Sequence, residues 1–406
     1  MKCRHCGAPV EQVFIDLGFA PPSNAYLNFE DLGQPEKIYP LRTKVCGECW
    51  LVQTEDYTAA EELFNGDYAY FSSTSTSWLS HAARYVNMIT DRLHLHKNSF
   101  VVEVAANDGY LLKNFVAAGI PCLGIEPTDS TATAAEKLGI PILRKFFGEE
   151  LGCSLATAGS QADLIIGNNV FAHVPDINDF TRGLKQLLKP TGTITLEFPH
   201  LMQLVAHKQF DTIYHEHFSY LSLYTVSQIF ATAGLQVWDV EQMPTHGGSL
   251  RVYGCHTGER AISAQVTELL DAEKWQGLQN LSTYQGFQGK VERIKAELLK
   301  FLMEQKAVGK VVVGYGAAAK GNTLLNYAEV KADLLPFICD AAPAKQGKFM
   351  PGSHIPIVKP TEIATQRPDY VLILPWNLQT EITEQLSYIR QWGGLFVTAI
   401  PELKIW

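Results

Sequence analysis

The chain has 406 residues, and at about 100–200 residues per domain that length calls for two to four domains. A composition of 46% hydrophobic and 18% charged residues, with 31 Gly and 20 Pro, belongs to a folded globular protein and excludes collagen-like, coiled-coil and disordered classes. The net charge of −9 without a long Lys/Arg run argues against a nucleic-acid clamp and for a small or anionic ligand held by a few placed groups. No apolar run reaches about 18 residues and the opening MKCRHCG is not a signal peptide, so a cytoplasmic protein with no membrane partner is expected.

Four of the eight cysteines lie in the first 50 residues, as Cys3-Arg-His-Cys6 and Cys46-Gly-Glu-Cys49. Two such knuckles can close a tetrahedral four-sulfur cage with no open position, which is the chemistry of structural zinc; a redox dithiol is the competing reading. His5 could replace one thiolate, but two matched cysteine pairs make that unnecessary. The insert between the knuckles exceeds ribbon spacing and is expected to carry strands or a loop of its own. An aromatic and hydroxyl-rich connector follows, from Gly66 to Ser77, with Tyr68 and Tyr70 on one side of an extended chain. It serves either as a linker that caps the helix predicted over 78–93 or as a contributor to a site.

From residue 99 the pattern alternates strand and helix. Buried-strand runs at Phe100–Ala105, Cys122–Glu126, Ala162–Asn169 and Gly192–Pro199, with helical segments between, predict a parallel sheet covered by helices. A hairpin over 237–240 and 249–255 would close it through Thr245-His-Gly-Gly248. Helix formers fill 259–305 and predict a long helical connector. A second α/β unit begins at Lys310, with strands near 310–316, 334–340, 370–375 and 394–399.

Three clusters carry chemistry. The loop Glu103-x-Ala105-x-Asn107-Asp108-Gly109, with Glu126 and Pro127 ending the next strand, suits a nucleoside: small residues admit the ligand to the backbone, and the later carboxylate can accept both ribose hydroxyls. No Walker lysine or G-x-G-x-x-G stands here, which favours S-adenosylmethionine over a pyrophosphate-bearing cofactor. Asn168 and Asn169 would meet its reacting end. The second cluster is Asp211-Thr-Ile-Tyr214-His215-Glu216-His217, beyond a strand end where an open sheet places its substrate. His215 and His217 point apart as i and i+2 neighbours, so acid–base work fits better than metal ligation, with Glu216 or Tyr214 fixing the imidazole tautomer. His173 would face the same cleft. The third, Gly314-Tyr-Gly316-Ala-Ala-Ala319-Lys320 with Asp340 after the next strand, matches a relaxed dinucleotide fingerprint; it suits NAD, a substrate phosphate near Lys320, or close helix–sheet packing.

Taken together, the two knuckles, Tyr68-Ala-Tyr-Phe-Ser-Ser73, Glu103-Val-Ala-Ala-Asn-Asp-Gly109, Tyr214-His-Glu-His217, His246-Gly-Gly-Ser-Leu-Arg251 and Gly314-Tyr-Gly-Ala-Ala-Ala-Lys-Gly321 make the chain resemble the three-domain, S-adenosylmethionine-dependent C-methyltransferases of nucleotide-linked deoxysugar biosynthesis. The resemblance implies an α/β protein with a zinc-ribbon-like module and connector (1–75), a class I Rossmann-like methyltransferase domain (76–256), a helical connector (257–308) and a second Rossmann-like domain (309–406). It implies a nucleoside-diphosphate 4-keto sugar as substrate, deprotonated beside its ketone and methylated as the enolate. On that analogy His217 is the general base, Tyr214 and Glu216 orient it or bind the sugar, His173 stands near the enolate oxygen and Tyr68 reaches in from the connector. Ala105 replaces the glycine usual in methyltransferase loops. An NAD-dependent oxidoreductase using the C-terminal loop, a methyltransferase for another carbon acid, and a zinc-ribbon adaptor or RNA-binding methyltransferase using the knuckles as a contact surface are the alternative readings.

Overall fold

The computed structural model describes residues 1–57 and 71–406, so Tyr68 and Tyr70 lie outside the described residues. Three sheets organise the chain. The first holds β1 (Val13–Ala20), β2 (Tyr39–Val45) and β3 (Val52–Thr54), so the insert between the cysteine knuckles does carry strands.

The second sheet holds β4 (Val101–Val104), β5 (Cys122–Ile125), β6 (Ile142–Leu143), β7 (Ala162–Asn168) and β8 (Leu188–Pro199). After β9 (Ser219–Tyr220), the hairpin β10 (Leu235–Met243) and β11 (Ser249–His256) completes it. Its order is β10-β11-β8-β7-β4-β5-β6. β4 to β8 run parallel, whereas β11 pairs antiparallel with both β8 and β10. This is the class I methyltransferase arrangement, a parallel sheet closed by one reversed strand. The chain leaves β4 in one direction to β5 and returns on its other side as β7, and that switch point leaves a crevice at the carboxyl ends of the strands. β4 reads Val-Val-Glu-Val with every residue buried, as a central parallel strand must when helices cover both faces.

β9 does not join this sheet. It pairs with β3, so the segment that follows the histidine cluster is the fourth strand of the N-terminal sheet. Sequence periodicity carried no sign of this, because the pairing partner lies more than 160 residues upstream.

The predicted long connector is three helices, Ala264–Trp275, Leu281–Gln285 and Phe287–Ala307. Gly277, at φ 80°, stops the first, and the Asn280 side chain caps the second by accepting from Ser282 N. Nor is it only a bridge: Phe14 of β1 stacks on Phe287 at 4.5 Å and meets Tyr284 edge-on at 5.5 Å, in a core shared with the C-terminal unit. That unit is built on β12 (Val312–Tyr315), β13 (Ile338–Cys339), β14 (Ile357–Val358), β15 (Tyr370–Ile373), β16 (Leu395–Thr398) and β17 (Lys404–Ile405). Their order is β14-β13-β12-β15-β16-β17, parallel except for β17. Among the described residues no helix is long and apolar enough to cross a membrane.

Candidate active site

The loop after β4 turns through two left-handed residues, Ala105 at φ 58° and Asn107 at φ 49°. Non-glycine residues enter that region at a cost, and here the turn is held from several sides. Glu126 Oε2 accepts from Asn107 N at 2.9 Å and Oε1 from Thr128 N at 3.0 Å, with Pro127 stiffening the chain between. Opposite, Ser72 N donates to Asn107 Oδ1 at 2.9 Å and Ser73 N to Asp108 Oδ2 at 3.0 Å, so Ser72 and Ser73 lie over the loop. Among the described residues, neither Glu103 carboxylate oxygen nor the buried Asp108 Oδ1 has a hydrogen-bond partner. Burial, and then the neighbouring Glu126 and Asp108 charges, push the Glu103 carboxyl well above its ordinary range. Two acids with unpartnered oxygens, Glu103 and Asp108, converging beside Glu126 fit a cationic ligand, and the sulfonium and ammonium groups of S-adenosylmethionine supply that charge. Asn168 Nδ2 donates to Tyr110 Oη at 3.5 Å beside the same loop.

The histidine cluster lies in the segment between β8 and β9. His217 N closes a turn on Tyr214 O at 2.9 Å. Its ring packs on Tyr214 at 4.0 Å, on the edge of His173 at 4.6 Å and near Tyr220 at 5.9 Å. Nδ1 of His217 donates to the Thr212 carbonyl at 2.9 Å. A carbonyl only accepts, so the neutral ring carries its proton on Nδ1 and leaves the lone pair on Nε2. Burial, reinforced by His173, holds the His217 imidazole well below its usual titration range, and burial holds His173 down to about 4. The group that sets the tautomer is thus the Thr212 backbone, not Glu216 or Tyr214 as the sequence suggested. Glu216 faces the N-terminal module, where Asn24 Nδ2 donates to Oε1 at 3.1 Å, and burial pushes its carboxyl upward. His215 turns the other way, donating from Nε2 to Pro40 O at 3.2 Å, so the two histidines do point apart. The N-terminal sheet also grips this histidine: Thr54 Oγ1 donates to His217 O at 2.6 Å.

Sequence reasoning placed three further contributors to this cleft in separate motifs without bringing them together. Asp211 Oδ2 accepts from Trp376 Nε1 at 2.7 Å, and burial pushes its carboxyl up to about 6 against the pull of Lys320. Lys320 Nζ donates to Asn377 Oδ1 at 2.6 Å and lies 4.7 Å over the Trp376 ring. The third is His246, whose Nε2 accepts from Asn169 Nδ2 at 3.2 Å. Local signals existed, since Lys320 opens a helix and Trp376 follows a carboxyl strand end. Their convergence on Asp211 depends on how the sheets dock.

The C-terminal glycine loop is filled from within. Asp340 Oδ2 accepts from Ala317 N at 2.7 Å and Oδ1 from Ala342 N at 2.8 Å, while Ala317 O accepts from Tyr26 Oη at 2.6 Å and Lys345 Nζ at 2.8 Å. A Cβ on Gly316 would sit 2.4 Å from Pro375 Cδ. Asp340 braces the loop with Lys345 Nζ 3.8 Å from its Oδ2, and Gly316 serves close packing.

At the N-terminus, Cys3 and Cys49 sulfurs are 3.5 Å apart, Cys6 and Cys46 3.6 Å, and all four lie within 4.8 Å of one another. A zinc tetrahedron with ~2.3 Å bonds has sulfur–sulfur edges of about 3.8 Å, so the set fits, and four thiolates leave no position for substrate. Gln53 Nε2 donates to Cys3 Sγ at 3.3 Å and orients it. His5 is not in the cage: its Nδ1 lies 2.8 Å from Asn178 Oδ1.

Comparison with known proteins agrees with this geometry. Residues 3–64 match a family described as a zinc binding domain, 78–240 a methyltransferase domain and 244–401 a C-methyltransferase C-terminal domain. The chain is 35% identical over 405 residues to C-methyltransferase NovU of Streptomyces niveus, covering 100% of this chain and 96% of that protein. Among solved structures, magnesium protoporphyrin IX methyltransferase (ChlM) from Synechocystis PCC 6803 with bound SAH aligns at 14% identity and TM-score 0.36, over 44% of this chain and 83% of its own. The YcgJ protein from Bacillus aligns at 11% identity and TM-score 0.35, over 44% and 100%. With a full-length relative of this kind, a class I sheet and a four-cysteine zinc cage, the chain belongs to the S-adenosylmethionine-dependent C-methyltransferase family.

Proposed function

We propose that the protein methylates a carbon beside the ketone of a nucleoside-diphosphate 4-keto deoxysugar, with His217 as general base. The observation that carries this reading is the buried, neutral His217 ring, whose proton is fixed on Nδ1 by the Thr212 carbonyl and whose Nε2 lone pair is left for substrate. An unactivated C–H is beyond a side-chain base, whereas a ketone spreads the developing charge onto oxygen. When bound, S-adenosylmethionine supplies the electrophilic methyl group and takes the carbon–sulfur electron pair as it departs.

Residues 76–256 hold the cofactor in this reading. The Glu126 oxygens keep lone pairs for the ribose hydroxyls, Glu103 and Asp108 face the cationic end, and Ala105, Asn107 and Gly109 admit it to the backbone beside Asn168 and Asn169. Tyr214 and His173 wall the base, and Glu216, steadied by Asn24, holds the sugar side. Residues 309–406 close the cleft, where Lys320 offers a cation to the diphosphate.

Calorimetric titration with S-adenosylhomocysteine, followed by thymidine and guanosine diphosphates, tests the assignment. Micromolar binding of the first and preference for one nucleotide are expected. Glu126→Ala should weaken S-adenosylhomocysteine at least tenfold, because a carboxylate bonding two hydroxyls contributes about 1.5–3 kcal/mol per charged hydrogen bond. No adenosyl binding by folded, zinc-loaded protein would sink the reading.

The base also fixes a pH dependence. His217 accepts a proton only while neutral, and its lowered pKa means that it becomes protonated only below the ordinary value of 6.5. The acid limb of kcat/KM should therefore lie below pH 6.5, with the rate holding through neutrality and falling as pH drops further. A limb above pH 7 in the kcat/KM profile would contradict a buried neutral base.

A further inference from the structure

The base needs a counterpart. Removing a proton beside a ketone places negative charge on the carbonyl oxygen, and a donor must meet it. We propose that His246 is that donor, presenting its Nδ1–H to the substrate carbonyl oxygen as enolate character develops; this rests on the reading of the substrate as a ketone. The C–H electron pair becomes the C=C pair, the carbonyl π pair moves to oxygen, the proton passes to His217 Nε2, and His246 keeps its own proton while hydrogen-bonding the oxygen.

The loop is built around this side chain. His246, Gly247 and Gly248 run through φ of 53°, 89° and 117°, and Asn169, facing His246, is itself at 53°. Left-handed conformation at two non-glycine residues in contact is costly, and such outliers persist where surrounding structure enforces them. Here Thr245 Oγ1 donates to Glu197 Oε1 at 3.1 Å, Ser249 Oγ to Thr245 O at 2.9 Å, and Gln209 Nε2 to Gly247 O at 2.8 Å. A Cβ on Gly247 would lie 2.3 Å from the Trp376 ring, so glycine there is what lets the loop seat against the C-terminal unit.

Chemistry follows from the hydrogen bond the ring makes to Asn169. Asn169 Nδ2 donates to Nε2, which therefore carries the lone pair and leaves the proton on Nδ1. Burial keeps the ring neutral, held down to about 4, with Lys320 and His81 opposing a further positive charge and Glu197 favouring it. A neutral imidazole donates without giving its proton away. The position is also right. Trp78 contacts His246 at 5.1 Å and Tyr110 of the cofactor loop at 6.0 Å, and Asn169, which bonds His246, follows β7 just before the turn that carries His173 against His217 at 4.6 Å. His246 thus stands beside the cofactor loop, whereas His173 is packed on the base itself.

Two measurements decide. In protein labelled with 15N-histidine, long-range proton–nitrogen spectra should show His246 neutral with its proton on Nδ1, and Asn169→Ala should disturb that tautomer. A proton on Nε2 overturns the proposal whatever the substrate. With thymidine-diphosphate 4-keto-2,6-dideoxyglucose and S-adenosylhomocysteine in deuterium oxide, the wild type should wash deuterium into the carbon beside the ketone. His246→Ala should slow that exchange about 10²–10³-fold, the range for losing one oxyanion donor, with S-adenosylhomocysteine affinity unchanged. His246→Asn, whose amide nitrogen replaces Nδ1, should recover at least tenfold of the loss, whereas His246→Gln should not. Exchange within threefold of wild type in the alanine variant overturns the donor role, since a residue that only seats the cofactor would slow methyl transfer alone. If the wild type exchanges no proton of this probe, the ketone-sugar reading falls and the donor role falls with it.

Discussion

Replacing His217 by asparagine lowers methyl transfer by at least 10²-fold while leaving S-adenosylhomocysteine affinity within about threefold. The size is that of a lost general base, about 10²–10⁴ in rate. Asparagine is the informative substitution because its amide nitrogen can still donate to the Thr212 carbonyl, which otherwise loses its 2.9 Å partner in a buried site at a cost of about 1–3 kcal/mol. His217→Ala removes both functions, so comparing the melting temperatures of the two variants separates folding from chemistry. Single-turnover methyl transfer is the readout. An asparagine variant within tenfold of wild type removes His217 from the base role and turns attention to Glu216, a buried acid of the same motif.

Why His217 could be named from sequence while its partners could not is a matter of range. The zinc cysteines and the strands β4 and β15 are local statements, in which spacing or an unbroken apolar run carries its own explanation. The polar cluster was legible because Asp211 to Phe218 packs several polar residues after a parallel strand, where open sheets bind ligands, and His217 within it was singled out by the family resemblance. What remained hidden depends on docking. Asn24 reaches Glu216 across 192 positions, Trp376 reaches Asp211 across 165, and β9 leaves the methyltransferase sheet to complete that of the zinc module. Asp340 had the spacing of a ribose-binding acid, and only the folded loop reveals that its oxygens brace the Ala317 and Ala342 amides with Lys345 beside them. Likewise, the His-Gly-Gly sequence announced a tight turn but not that Asn169 would set the ring's tautomer.

Substituting Cys46 by serine should cost the protein its zinc and, with it, both solubility and activity. A structural zinc contributes about 10–16 kcal/mol of apparent binding energy, as large as the entire ~5–15 kcal/mol stability of an ordinary domain. Cys46 is wholly buried, and Cys3, Cys46 and Cys49 pack with Leu51 and Val10 into the same core as Phe180 and Phe230 of the methyltransferase sheet's helices. Loss of the cage therefore opens that core rather than releasing a peripheral tag. The damage also has a route to the chemistry without any zinc–substrate contact. β3 begins three residues after Cys49, and its Thr54 donates to the His217 carbonyl at 2.6 Å while its edge pairs with β9. Arg4, inside the first knuckle, holds the Thr54 carbonyl at 2.9 Å and that of Pro175 at 2.8 Å. Zinc content, melting temperature and turnover should consequently fall together during graded chelation of the wild type and in Cys46→Ser. A soluble, metal-free and fully active Cys46→Ser protein would contradict this chain of contacts, because the grip on the base would then be independent of the cage that anchors it.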